Sequence, residues 1–412
     1  MKKAIIVILL VLAAAAIVFF SMEKPLPEGQ CELKPKAIKR GKDIIVYLAS
    51  TYLQPTYEKP LELKDLPPSK PEKINYYSVR LGDRNVPAAV CYSGSIMLYF
   101  DTNGDGNLSN EKGFRAKAVR TSWFITSNDY RFGPVHVEFG NNDKEIKIDF
   151  YIDMSRGERL VLYPANYLEG KIKVGQRSYK VAMLNSSFTG QYNKMFSPPD
   201  KNFTKLGCDM FGIDLNNNDK FEFESFIESS EFVPLGTMVK IKNTYYSINI
   251  SKDKKFLELK KTEPEFGCLD LGKADLSIQL WSDAAYQFLQ GSKEKWHLPA
   301  GKYFAASIKL NQSDDAGNKW TFTSLRKSGK LGDFEILPGQ ETSFKIGPPF
   351  LIKTNIEHGA KNNVFINFYL EGQSGEQYWA RVLKNGNELA APGFKVLDEG
   401  GNVLVSDKFK YG

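Results

Sequence analysis

The chain has 412 residues, 42% of them hydrophobic and 25% charged, with a formal net charge of +7. Those proportions exclude a disordered chain, and the length predicts about two to four domains with ordinary cores. The lysines are scattered and no block of five like charges occurs, so the basic excess reads as a solvated surface and not as a nucleic-acid tail.

At the N-terminus, Lys2 and Lys3 precede an unbroken apolar run from Ala4 to Phe20, after which Ser21, Glu23, Lys24 and Pro25 turn the chain polar. Residues 1–22 are therefore expected to form a helix that is either a secretory signal or a short membrane anchor. Residues 4–20 as a helix would rise about 25 Å against a hydrocarbon thickness of ~30 Å, enough for one inner-membrane span with snorkelling flanks. Phe19 and Phe20 stand where a cleavage site needs small residues, which favours an uncleaved anchor. Lys2 and Lys3 would stay inside, leaving the remaining chain extracytoplasmic, anchored to the inner membrane or secreted. Glu28-Gly29-Gln30 lacks the small and aliphatic residues that lipidation of Cys31 would need.

Residues 23–73 read as a Pro-rich stalk and linker: one apolar run begins at Asp43, and Pro55, Pro60, Pro67, Pro68 and Pro71 forbid a regular helix. Residues 74–272 carry short alternating runs such as Ser95–Phe100, Pro134–Phe139, Lys144–Ile152 and Met238–Ile250, the signature of half-buried strands, with hairpin turns expected at 141–143 and 251–253. His136 alternates with Val135 and Val137 and so should point outward from its strand. Residues 273–347 and 348–412 repeat this style and predict two small C-terminal β-sandwich modules. The fold class is all-β.

Two stretches carry chemistry. Asp101, Asn103 and Asp105 occupy positions 1, 3 and 5 of a loop with Gly106 at position 6, and Asp214, Asn216 and Asn218 repeat the spacing, with Asp219 in place of the glycine. Side-chain oxygens at such positions of a tight turn converge on one point, which suits a hard divalent cation such as calcium. Asn107 and Lys220, at position 7, would add backbone carbonyls, and Glu111, Glu222 or Glu224 would close the sites. An Asx-turn hairpin without metal is the competing reading for both loops. Asn185–Tyr192 repeats the spacing with its carboxylates gone and is read as a turn of the same shape without a metal.

The first loop resembles an EF-hand or dockerin-type calcium loop, with Asp101, Asn103, Asp105, Gly106 and Leu108 at matching positions. It departs from that pattern in having Lys112 where the bidentate Glu belongs and a strand where a helix should enter. The Leu298-Pro-Ala-Gly-Lys-Tyr303 stretch resembles the turn-then-strand of immunoglobulin-like and carboxypeptidase-regulatory-like sandwiches. As a whole the chain resembles uncharacterised exported bacterial proteins with D-x-N-x-D-G loops, a resemblance that implies no activity.

Catalytic constellations are not apparent: His136, His297 and His358 are far apart, no H-E-x-x-H, G-x-S-x-G or phosphate-binding loop occurs, and the S-x-x-K spacings at Ser251 and Ser292 lie in lysine-rich turns. Cys31, Cys91, Cys208 and Cys268 form no C-x-x-C pair; they allow up to two disulfides, with Cys208–Cys268 favoured because it flanks the second loop, or buried free thiols. Trp320 is the tryptophan expected to be exposed, where it could stack on a sugar. Two functions are consistent with these features. One is a non-catalytic, calcium-stabilised cell-envelope or secreted protein binding a cell-wall polysaccharide or an envelope protein. The other is an exported calcium-dependent hydrolase acting on polysaccharide, with C-terminal targeting modules.

Overall fold

A computed structural model describes residues 26–38, 51–61, 63–67, 71–119, 129–140, 146–154, 158–198, 207–221, 230–325, 329–358, 364–378, 381–390 and 392–409. The signal or anchor expected at 1–22, the apolar run after Asp43 and the turn at 141–143 lie outside them. Among the described residues no helix is long and apolar enough to cross a membrane. The fold is all-β, as the alternating patterns predict.

The strands from Lys73 to Thr262 build two units around separate cores, while Phe266–Asp270 joins a third. In the first, Lys73–Leu81, Arg84–Ser93, Ser95–Phe100 and Phe114–Arg115 form one antiparallel sheet. A second sheet runs in the order Thr51–Leu53, Leu160–Pro164, Ile146–Met154, Asp129–Phe139 and Lys117–Val119. Their apolar faces share one core, with Phe100 and Phe150 meeting edge to face at 5.3 Å. The period-two pattern explains why: Tyr77, Val79 and Leu81 face inward while Ser78 and Arg80 face out.

The second unit repeats this plan. One sheet takes Lys34–Ala37, Asn166–Val174, Arg177–Leu184, Met210–Ile213 and Phe232–Pro234 in order. The other takes Gln30–Glu32, Phe256–Thr262, Thr244–Ile250 and Met238–Ile241. The hairpin Val79-Arg-Leu-Gly82-Asp-Arg84-Asn-Val86 matches Ile172-Lys-Val-Gly175-Gln-Arg177-Ser-Tyr179, with both glycines at positive φ in the two-residue turn. Carrying that alignment forward pairs Ala88 with Phe100 in one unit and Val181 with Ile213 in the other, so Asp101 and Asp214 fall at the same register position. The two units are structural duplicates.

Residues 26–38 and 51–53, expected as stalk, are instead laced into both units: Gln30–Glu32 and Lys34–Ala37 extend the second, Thr51–Leu53 the first. Cys31 and Leu33 are buried in the second core, so the segment is held by burial as well as ladder hydrogen bonds.

The third unit has a large sheet led by Asp275–Ser282 and Gly301–Ser313, facing a small sheet of Lys295–Pro299, Phe266–Asp270 and Glu341–Ser343 across a common core. The last expected sandwich is not self-contained. Arg381–Lys384 leaves it to pair with Lys319–Leu325, while Leu351–His358, Val364–Glu371 and Gln377–Tyr378 form a three-stranded sheet, and Gly393–Leu397 pairs with Val403–Lys408. Rings of Phe368, Phe394 and Phe409 join the last two pieces.

All four cysteines are free thiols. The favoured Cys208–Cys268 pairing is therefore corrected. Cys208 lies in a cluster with Phe196, Trp281 and Phe304, whereas Cys268 sits on the Phe266–Asp270 strand, opposite His297.

Candidate functional site

Both aspartate loops leave the end of a sheet strand at the same register. The Asp101 N–H donates to the Pro87 carbonyl at 3.2 Å, and the Asp214 N–H to the Lys180 carbonyl at 3.0 Å. From that anchor the buried Asp101 carboxylate folds the chain around itself, accepting the N–H groups of Gly104 (2.7 Å), Asp105 (3.1 Å) and Gly106 (2.9 Å). Asn103 accepts from Asp105 N–H at 2.9 Å, and Asp105 from Asn107 N–H at 2.7 Å. Gly104 and Gly106 adopt φ of 75° and 77°, the left-handed region that a side chain disfavours. Leu108 then drops into a small apolar cluster and fixes the exit.

The second loop follows the same rules with different residues. Asp214 accepts Asn218 N–H (3.1 Å) and Asp219 N–H (2.7 Å), Asn216 accepts Asn218 N–H (3.0 Å), and Asn218 accepts Lys220 N–H (3.0 Å). Asn217 and Asp219 take the two left-handed positions, which short polar side chains tolerate. In the third turn Asn185 accepts Gly190 N–H at 2.8 Å and Thr189 accepts Gln191 N–H at 3.2 Å, with Phe188 and Gly190 left-handed. The three turns share one backbone path.

Each turn is also capped by a carboxylate from further along the chain. Glu111 accepts both the N–H and the hydroxyl of Thr102 (2.8 and 2.7 Å), and Asp209 does the same for Ser187 (3.2 and 2.7 Å). Glu231 accepts the N–H groups of Leu215 and Asn216 (2.8 and 3.1 Å). Residue spacing did not reveal Glu231 or Asp209, because these carboxylates reach the turns from the residue just before a later strand, Phe232–Pro234 and Met210–Ile213. Glu222 and Glu224 lie outside the described residues.

Asp101, Asn103 and Asp105 each accept backbone N–H groups of one turn, and Asp214, Asn216 and Asn218 do the same in the other. The Asn107 side chain turns to Ser109, leaving only its carbonyl for a ligand, and Glu111 is held on Thr102, so it does not close the first site. Lys64 brings its ammonium to the Asp105 carbonyl. Burial raises the Asp101 and Glu111 carboxyls, while Asn110 and the Asn107 N–H lower Asp105. Among the described residues no three His, Cys, Asp or Glu side chains form a metal-holding group. A cation in the first loop would thus lean on the Asn103 amide and the Asn107 carbonyl beside two carboxylates. That donor set fits calcium as a weak, partial site.

Family models, curated proteins and solved structures offer no match to the chain.

His136 is exposed on its strand, as expected, and bonds Asp149 at 2.7 Å, which raises its pKa. Trp320 is half-buried: its Nε1–H donates to Asp314 at 3.0 Å, Phe322 stacks beside it and Lys384 lies over the ring. Its expected exposure is corrected, because the Asp314 turn pins the indole.

Proposed function

We propose that the chain is a non-catalytic protein of the cell envelope or the extracellular space, whose first aspartate loop is clamped by calcium and whose β units present a surface to a wall polysaccharide or an envelope protein. The observation that supports this reading is that Asp101, Asn103 and Asp105, at positions 1, 3 and 5, all bond into one turn whose Gly104 and Gly106 are left-handed. A ligand set of this size predicts a dissociation constant of roughly 0.1 to 1 mM, which suits an extracellular clamp better than a sensor. Isothermal titration of the full chain with calcium should give a weak site that Asp101→Asn abolishes. Partner binding is tested by retention on insoluble wall polysaccharide; turnover of that polysaccharide would favour the hydrolase reading instead.

A further inference from the structure

We propose that Lys180 is the resident cation of the second loop and makes that loop independent of metal. The duplicated units differ at one informative place. Pro87 and Lys180 occupy the same register position and use the same carbonyl to anchor the first aspartate of the loop. Proline offers nothing beyond that carbonyl. Lysine sends its side chain back over the loop: the ammonium donates to the Asp219 carbonyl at 2.8 Å, lies 3.4 Å from Glu169 Oε2 and sits 5.1 Å from the centre of the Phe221 ring. One residue therefore holds the loop at both ends.

The charge balance points the same way. At positions 1, 3 and 5 the first loop has two carboxylates. Among the described residues the second has one holding its turn, Asp214, because positions 3 and 5 are asparagines and the Asp219 side chain is 92% exposed. The Lys180 side chain is only 16% exposed, so its ammonium is part of the loop's structure and not a free surface charge. A divalent ion ligated by the Lys220 carbonyl would lie next to the carbonyl that already carries this ammonium, and like charges at that range repel. By contrast, Lys64, which reaches the first loop, is exposed. Asp314 shows the remaining option: a turn of this kind held with no lysine, by Asn318 and Trp320.

The test uses the full chain, with calcium titrated calorimetrically and melting followed in calcium and in chelator. Asp214→Asn should leave the calcium stoichiometry as in the wild type. Lys180→Met should melt several degrees lower in chelator and recover part of that loss in millimolar calcium, while Lys180→Arg, which keeps the charge, should melt close to the wild type. A wild-type calcium site abolished by Asp214→Asn would overturn the inference, as would Lys180→Met melting at the wild-type midpoint. If Lys180→Met does not fold, the comparison of wild type with Asp214→Asn decides. Absence of any calcium binding in the wild type would remove the clamp proposed for the first loop and leave the Lys180 melting result as the deciding one here.

Discussion

Phe188 belongs to the second unit by chain order, between the strands Arg177–Leu184 and Met210–Ile213, yet its ring is buried in the core of the first. It meets Phe150 edge to face at 6.0 Å and is 1% exposed. Truncation to alanine removes a fully buried ring from a site walled by rigid strands, so the cost should be about 3 to 5 kcal/mol, the aromatic pair included. Because Phe188 ties the two units together, the scale for a body of about 200 residues applies, and that cost corresponds to a fall of roughly 6 to 20 °C in melting midpoint. Phe188 also carries φ of 53°. A glycine there gives up the same packing but escapes the left-handed penalty of roughly 1 kcal/mol, so Phe188→Gly should be no less stable than Phe188→Ala, the reverse of the usual order. Urea unfolding followed by near-ultraviolet circular dichroism measures both, and decoupling of the two units should split the transition. A loss below about 1 kcal/mol for the alanine variant would refute the claim that this turn rivets one unit to the other.

Asp209 is buried among Asn185, Ser187 and the Lys194 N–H, and burial lifts its carboxyl to about 6 from 3.8. The folded form therefore binds the proton more tightly than the unfolded one, so this group weakens the fold above pH 6 and the loss is regained as pH falls from 6 towards 3.8. The regain should approach ~3 kcal/mol, and Asp209→Asn should remove that pH-dependent part of stability in denaturant titrations across the window. Burial also pushes the Cys31 and Cys208 thiols up to about 12, so at pH 8 a disulfide reagent should label the half-buried Cys268 first and reach the other three only on unfolding.

Much of the fold was legible because period two is a direct consequence of pleating: Ile146–Met154 alternates buried and half-exposed residues along most of its length, as its sequence suggests. The loops were legible for a local reason, since Asp101 and Asp214 bond to backbone groups within five residues. What escaped was non-local. The pairing of Gln30–Glu32 with Phe256–Thr262 joins ends far apart in sequence, and a proline-rich composition gives no hint of it. The duplication leaves a sequence trace in the Gly82 and Gly175 hairpins, but the segment 185–209, inserted before the second aspartate loop, breaks the common spacing, so it emerged only from the strand register. Lys180 and Glu231 could not be assigned from spacing, because a strand neighbour and not a chain neighbour brings each to its loop.

The most direct test of the calcium clamp is the melting midpoint of the full chain in 10 mM calcium and in chelator, beside Asp101→Asn under the same conditions. At about tenfold saturation, bound calcium stabilises the fold by roughly 1.4 kcal/mol. The wild-type midpoint should then rise by roughly 3 to 6 °C in calcium and that of the variant should not move. Coincident wild-type midpoints, or an equal rise in the variant, would contradict a clamp at Asp101.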